Sequence, residues 1–109
     1  KKDMILVSGF NVYPNEVEQV IWAHPAVQDC AVIGVPDDAW GEAVKAVVEL
    51  NAGQQVSADE LITLCKQKLG SVKAPKTIDF VASLPRSPVG KVLKKDLRAR
   101  YWQNTSRNI

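Results

Sequence analysis

A chain of 109 residues, 46% apolar and 24% charged, has room for one soluble domain with a real core. It has little room for a deep catalytic cleft of its own. The longest apolar run, residues 30–35, is far too short to span a bilayer, and no secretory signal is visible. The net charge of +2 hides a division: residues 1–54 hold three lysines against eight acids, residues 55–109 eleven lysines and arginines against four acids. The basic half suits an anionic ligand or partner such as a nucleotide, coenzyme phosphates or nucleic acid, or else it is a solvated helix face.

In chain order, residues 4–7 form a short apolar strand stopped by Ser8-Gly9, and Asn11-Val12-Tyr13 a second extended piece, so the two pair as a hairpin around Gly9. Pro14 suits a first helical position, with Glu16 in the first turn. Val17, Val20, Ile21 and His24 recur at helical spacing until Pro25 ends the helix. Residues 27–35 read as a central strand, nearly continuous in apolar character, followed by a turn at Pro36-Asp37-Asp38. Residues 43–50 alternate, with Val44, Ala46, Val48 and Leu50 on one face and Lys45 and Glu49 on the other. That pattern predicts a half-buried strand antiparallel to the preceding one.

Ser57-Ala58-Asp59-Glu60 is a capping box, in which the serine takes one free N–H and Glu60 reaches back to another. Leu61, Leu64, Cys65 and Leu69 form the buried stripe of the helix it starts, and Gly70 ends that helix. Residues 77–81 predict a third strand. Leu93, Leu97 and Tyr101 share one face of a last helix, with Lys94, Lys95 and Arg98 outside. The expected architecture is α+β: a small antiparallel or mixed sheet of about three main strands and a short N-terminal hairpin, packed by three helices. The domain is expected over residues 1–102, with 103–109 a polar, frayed tail.

Pro85-Arg86-Ser87-Pro88-Val89-Gly90-Lys91 places one lysine at the tip of a loop rich in Pro, Ser and Gly. Its ammonium is a compact point charge suited to an anionic oxygen that develops during a reaction, and equally it fits a solvated lysine at a helix entrance. A phosphate-binding loop is excluded, because Pro85 stands where that motif needs glycine and Val92 where it needs Ser or Thr. There is no dinucleotide fingerprint and no zinc spacing. His24, the single histidine, reads as a core or helix-end residue rather than a catalytic one. Trp22, Trp40 and Trp102 are scattered, and the basic stretch lacks interleaved aromatics for base stacking, so no nucleic-acid partner is expected. Cys30 and Cys65 read as reduced core thiols of a cytoplasmic protein, with a bridge between them left open. The chain opens on Lys1-Lys2-Asp3 with no initiator methionine and is expected to be a piece of something longer.

Two long motifs carry a resemblance. Lys2-Asp3-Met4-Ile5-Leu6-Val7-Ser8-Gly9-Phe10-Asn11-Val12-Tyr13-Pro14-Asn15-Glu16-Val17-Glu18 resembles the signature that opens the C-terminal domain of adenylate-forming enzymes. Leu84-Pro85-Arg86-Ser87-Pro88-Val89-Gly90-Lys91-Val92-Leu93-Lys94-Lys95 resembles the signature that closes it. His24-Pro25-Ala26-Val27, Val35-Pro36-Asp37 and Trp40-Gly41-Glu42 fit between them in order, so the resemblance covers roughly residues 1–101. Within the family, Ser-Gly-Phe-Asn-Val-Tyr-Pro is most similar to long- or medium-chain fatty acyl-CoA ligases.

The resemblance implies the mobile C-terminal lid of an ATP-dependent acyl-CoA synthetase, inactive alone, its partner being its own N-terminal domain. ATP and Mg2+ would be bound mainly by that larger domain, and coenzyme A and the acyl-adenylate would meet this one. Lys91 matches the lysine that contacts the carboxylate and the ATP α-phosphate during adenylation. Lys2 falls at the family's hinge position. Ser8, Gly9 and Phe10 match the segment lining the pantetheine tunnel, and Lys66, Lys68 and Lys73 are candidates for the coenzyme's phosphates by charge and position. Asn11 stands where some acetate-type members carry arginine, so no phosphate contact carries over there. Two other readings stay open: an adenylation domain serving a carrier protein, and a small basic non-enzymatic binding module. Membrane association is left open as well.

Overall fold

The computed structural model describes residues 3–106. Strands β1 (Ile5–Val7) and β2 (Phe10–Val12) form a hairpin that leads into helix α1 (Pro14–Trp22). Strands β3 (Val27–Asp37) and β4 (Gly41–Leu50), helix α2 (Ala58–Leu69), strand β5 (Thr77–Phe80) and helix α3 (Lys94–Ser106) follow. The α+β architecture is as expected, with five strands and three helices.

The sheet is built on β4. One of its edges pairs antiparallel with β3 along nearly the whole strand, from Asp37↔Gly41 to Val27↔Leu50. Its other edge is shared: β1 pairs antiparallel at Val7↔Gly41, and β5 runs parallel from Lys45↔Thr77 to Val48↔Phe80. The sheet is therefore mixed. The β1–β2 turn is two residues long and both have positive φ, 48° at Ser8 and 88° at Gly9. Such a turn matches the twist of a tight hairpin.

Both faces of β3 and β4 are covered. On one, Val32, Val44, Ala46 and Val48 pack with Val17 and Ile21 of α1 and Leu61 and Cys65 of α2. On the other, Ala31, Ile33, Ala43 and Val47 pack with Leu84 and with Leu97 of α3. The expected half-buried β4 is thus corrected. Its alternation is real, but α3 covers the second face and leaves Lys45 only 9% exposed. That charge is accommodated because Asp79 Oδ1 lies 3.0 Å from Lys45 Nζ, and the Tyr101 ring centroid 5.2 Å from it. Tyr101 Oη donates to Asp79 Oδ2 at 2.6 Å, which ties α3 to β5.

Other boundaries differ too: β4 begins at Gly41 and β5 ends at Phe80. Strand β3 runs on through Pro36 and Asp37, because the turn is organised by Asp37 Oδ1, which accepts from the N–H groups of Ala39 and Trp40. Helix α1 stops before His24, whose Nδ1 accepts from Ala26 N–H. Only half of the capping box forms: Ser57 Oγ accepts from Glu60 N–H at 3.0 Å, while the Glu60 carboxylate meets His24 Nε2 at 3.0 Å. This pair pins the start of α2 to the end of α1. Helix α3 continues to Ser106, into the segment expected as a tail.

Strand β3 ends the sheet, and side chains reach its outer backbone groups. Glu18 Oε2 accepts from Val32 N–H at 2.9 Å, Trp102 Nε1 donates to Gly34 O at 2.8 Å, and Trp22 Nε1 donates to Gln28 O at 3.2 Å.

Candidate functional site

Lys91 sits on a short hairpin between β5 and α3. Arg86 and Val92 form an antiparallel bridge, and Lys91 O accepts from Ser87 N–H at 2.8 Å. Ser87 O accepts from Gly90 N–H at 2.8 Å, Ser87 Oγ from Lys91 N–H at 3.3 Å, and Pro85 O from Leu93 N–H at 2.8 Å. Gly90 takes φ 90°, a backbone that glycine adopts at low cost, which lets the turn close before Lys91. Val89 at the tip is 89% exposed and Lys91 is exposed. Lys91 enters none of the ion pairs among the described residues.

Arg86, at the base of the hairpin, is fully engaged. Its Nη1 lies 2.8 Å from Asp29 Oδ2 on β3 and its Nη2 2.9 Å from Glu49 Oε1 on β4. Nη1 also donates to Gly90 O at 3.4 Å, and Glu49 Oε1 accepts from Leu84 N–H at 3.3 Å. Hydrogen bonds that Arg86 donates to Asp29 and then to Glu49 push its pKa above its already high ordinary value. The sequence quoted Arg86 without a role, because its two partners lie far away in the chain.

Ser8 and Phe10 lie at the other end of the sheet. They line an open cleft of about 270 Å³ with Val7, Trp40, Ser71 and Val72. Phe10 is 61% exposed and Trp40 43%. Ser8 N–H donates to Trp40 O at 3.1 Å, which joins the two turns that make the cleft. Gly9 is in the turn beside it; a Cβ there would meet nothing within 4 Å, so within this chain the demand on Gly9 is its φ.

Lys76 Nζ lies 3.9 Å from the Trp40 ring centroid and 3.2 Å from Asp37 Oδ2. Hydrogen bonds from Trp40 N–H first and Lys76 second hold Asp37 below the usual carboxylate range. Trp40 stood in a quoted motif without a role and Lys76 in none, since only folding brings together residues so far apart.

The remaining candidates scatter. Lys66 is exposed in the last turn of α2 and lines no part of this cleft, and Lys68 lines a different one with Val20 and His24. Lys73 pairs with Glu16 Oε1 at 2.8 Å. Lys2 lies outside the described residues. Its neighbour Asp3 is held by Lys94 Nζ at 2.8 Å and Arg98 Nη1 at 3.5 Å, and Lys94 also meets Glu18 Oε2 at 2.6 Å. A cleft of about 690 Å³ opens there between β1 and α3.

The two sites are far apart. The Arg86 fork grips β3 and β4 at the Asp29↔Glu49 pair, while the cleft lies where Val7 meets Gly41. Eight residues of β4 separate them, about 26 Å of strand. Cys30 and Cys65 are free and buried, and burial pushes their thiols up to about 12 and about 11. Among the described residues, no group of three or more His, Cys, Asp or Glu side chains is placed to hold a metal ion, and no helix is long and apolar enough to cross a membrane.

The family model described as the AMP-binding enzyme C-terminal domain matches residues 16–91, so its match ends on Lys91 itself. The chain belongs to this family. As an AMP-binding enzyme C-terminal domain it is 50% identical, over 90% of its length, to a long-chain-fatty-acid–CoA ligase of Escherichia coli O6:H1, covering 17% of that protein. It is 45% identical, over 99% of its length, to the fatty acid–[acyl-carrier-protein] ligase ScoC of Streptomyces coeruleorubidus, covering 21% of it. Among solved structures, ATP-bound MatB from Rhodopseudomonas palustris superposes with a TM-score of 0.87 at 42% identity, over 92% of this chain and 20% of MatB. The chain spans about a fifth of the length of these relatives.

Proposed function

We propose that this chain is the mobile C-terminal domain of an ATP-dependent fatty acyl-CoA synthetase. Such an enzyme first joins a carboxylate to ATP, giving acyl-adenylate and pyrophosphate. The thiol of coenzyme A then displaces AMP to give the thioester. One observation carries the reading: an exposed Lys91, outside every ion pair among the described residues, sits on an anchored hairpin a full strand length from an apolar cleft with a cation beside its wall. A domain presenting one end for adenylation and the other for thioester formation needs that separation.

In the closed state for adenylation, Lys91 meets the carboxylate and the α-phosphate oxygens, where negative charge develops. After rotation at Lys2, Ser8, Gly9 and Phe10 line the path of the pantetheine arm, with Trp40 and Val72 completing the apolar wall. Neither Lys76 nor Lys66 lines the cleft, but Lys76 lies over the ring of Trp40, which does, so it is the better placed of the two for an anionic group of the coenzyme. We assign ATP, its Mg2+ and the acid pocket mainly to an N-terminal domain outside this chain, and expect the chain alone to make no acyl-CoA. The buried, free thiols fit a cytoplasmic protein.

The test is Lys91→Ala in the full-length enzyme. Acyl-adenylate formation, followed by pyrophosphate exchange, should fall about 10²–10³-fold. Thioester formation from pre-made acyl-adenylate should persist, and equal loss in both half-reactions would overturn the reading. A second acceptor, the thiol of a carrier protein, is favoured by the likeness to ScoC over 99% of this chain. Comparing free coenzyme A with a phosphopantetheinylated carrier as acceptor decides between them.

A further inference from the structure

Arg86 has no part in the reaction set out above, yet its guanidinium makes three bonds beside Lys91. The backbone bonds within the hairpin, Ser87 with Lys91, Gly90 with Ser87 and Leu93 with Pro85, fix its internal shape. They do not fix its direction. A turn held by its own bonds alone can pivot where it joins Leu84 and Leu93. Leu84 is 4% exposed and sits in the core under α3, which anchors one stem. Val92 of the other stem packs against the same core. Beyond these apolar anchors, the Arg86 fork fastens the hairpin to two adjacent strands at once, while Nη1 also touches the turn at Gly90 O. Asp29 and Glu49 are paired across the β3–β4 ladder, so the two carboxylates form a rigid base for the fork. A planar guanidinium suits two carboxylates in this way and an ammonium does not.

We propose that Arg86 is the positioning residue of the adenylation lysine: its fork to Asp29 and Glu49 aims the 86–92 hairpin and thereby sets where Lys91 is delivered. This rests on the adenylation role assigned to Lys91. Misplacing a reacting group by about 1 Å can cost about 10²-fold in rate, so a looser hairpin should show in the step that uses Lys91 and not in the other.

The experiment uses the full-length enzyme with Arg86→Met, Arg86→Lys and the double variant Asp29→Asn/Glu49→Gln. Each half-reaction is measured separately, and amide hydrogen exchange is followed by mass spectrometry. Arg86→Met should lower kcat for acyl-adenylate formation about 10–100-fold, with little change in KM for ATP or the acid. Arg86→Lys, which can meet only one carboxylate, should fall between it and the parent. Thioester formation from pre-made acyl-adenylate should be retained. Exchange should quicken in peptides from residues 84–93 and stay unchanged in α1 and α2, which separates a loosened hairpin from a failed fold. The double variant should reproduce Arg86→Met, and the two combined should add nothing further, since both remove one clamp.

Unchanged exchange in the hairpin of Arg86→Met would overturn the proposal. So would equal loss in both half-reactions, or a double variant that leaves adenylation untouched. Should Lys91→Ala itself lower both half-reactions alike, the role of Lys91 fails and with it the catalytic half of the proposal. The exchange data then judge the clamp separately.

Discussion

The two hairpins of this domain solve opposite problems. The one bearing Lys91 presents a lone charge on a turn whose base is fixed by an arginine fork and a buried leucine. The one bearing Ser8 and Gly9 presents apolar surface, with Phe10 and Trp40 left open to solvent and a backbone bond from Ser8 to Trp40 beside the Val7↔Gly41 pair joining the walls. In the proposed function the cation must reach a developing charge and needs direction more than area, while the cleft must receive a flexible arm and needs area more than direction. Because both hairpins hang from β4, and β4 is packed on both faces, moving one moves the other by a fixed amount.

The sharpest way to break this comparison is to exchange the key residue at each end. Against the adenylation loss expected of Lys91→Ala, Trp40→Ala should raise the KM for coenzyme A at least about tenfold while leaving adenylation within twofold; loss of an aromatic face is of that order. A Trp40→Ala enzyme with normal coenzyme A kinetics would remove the cleft from the thioester step. Next in size is Gly9→Ala. Its cost is conformational, about 1–2 kcal/mol in thermal unfolding, because φ is 88° and no atom lies within 4 Å of the new Cβ. By re-aiming Ser8 and Phe10 it should also raise the KM for coenzyme A.

The smallest effect concerns the tie between α3 and β5. Tyr101→Phe removes the hydrogen bond to Asp79 and should cost about 1 kcal/mol. Burial, and then the Asp79 hydrogen bond, push the Tyr101 phenol up to about 12 from 10.0, so its contribution is complete below pH 10 and fades as pH climbs from 10 towards 12. Burial alone would raise the Asp79 carboxyl, but hydrogen bonds from Tyr101 and Lys45 outweigh it and hold the group below its ordinary 3.8. Its contribution is therefore present above pH 3.8 and is lost as pH falls further. In Tyr101→Phe the loss of stability between pH 10 and 12 should become shallower, while the share due to the buried Cys30 and Cys65 thiols, raised from 9.0, remains; an unchanged slope would assign the alkaline limb to the thiols alone.

The ends of the domain were legible in the sequence and its middle was less so. The motifs around Gly9 and Lys91 announced themselves because turns use a narrow set of residues, and the strands and helices followed from apolar period. Lys45 shows where that reading stops. Its alternation with Val44 and Ala46 is the pattern of a solvated face, yet α3 covers it and supplies Tyr101. Period tells which residues share a face, not what later lies on it. The Arg86 fork and the Lys76–Trp40 contact were invisible for a related reason, since each joins residues tens of positions apart through sheet register alone.

The side chains that reach the outer backbone of β3 have a consequence for how the domain meets other chains. An eleven-residue strand at the rim of a sheet is a template onto which another chain can add. Here Glu18 takes the donor of Val32, Trp102 and Trp22 take the acceptors of Gly34 and Gln28, and Pro36 has no N–H to offer. An incoming strand would have to strip off these partners one by one before it could pair. A rim so occupied is a poor template for a second chain.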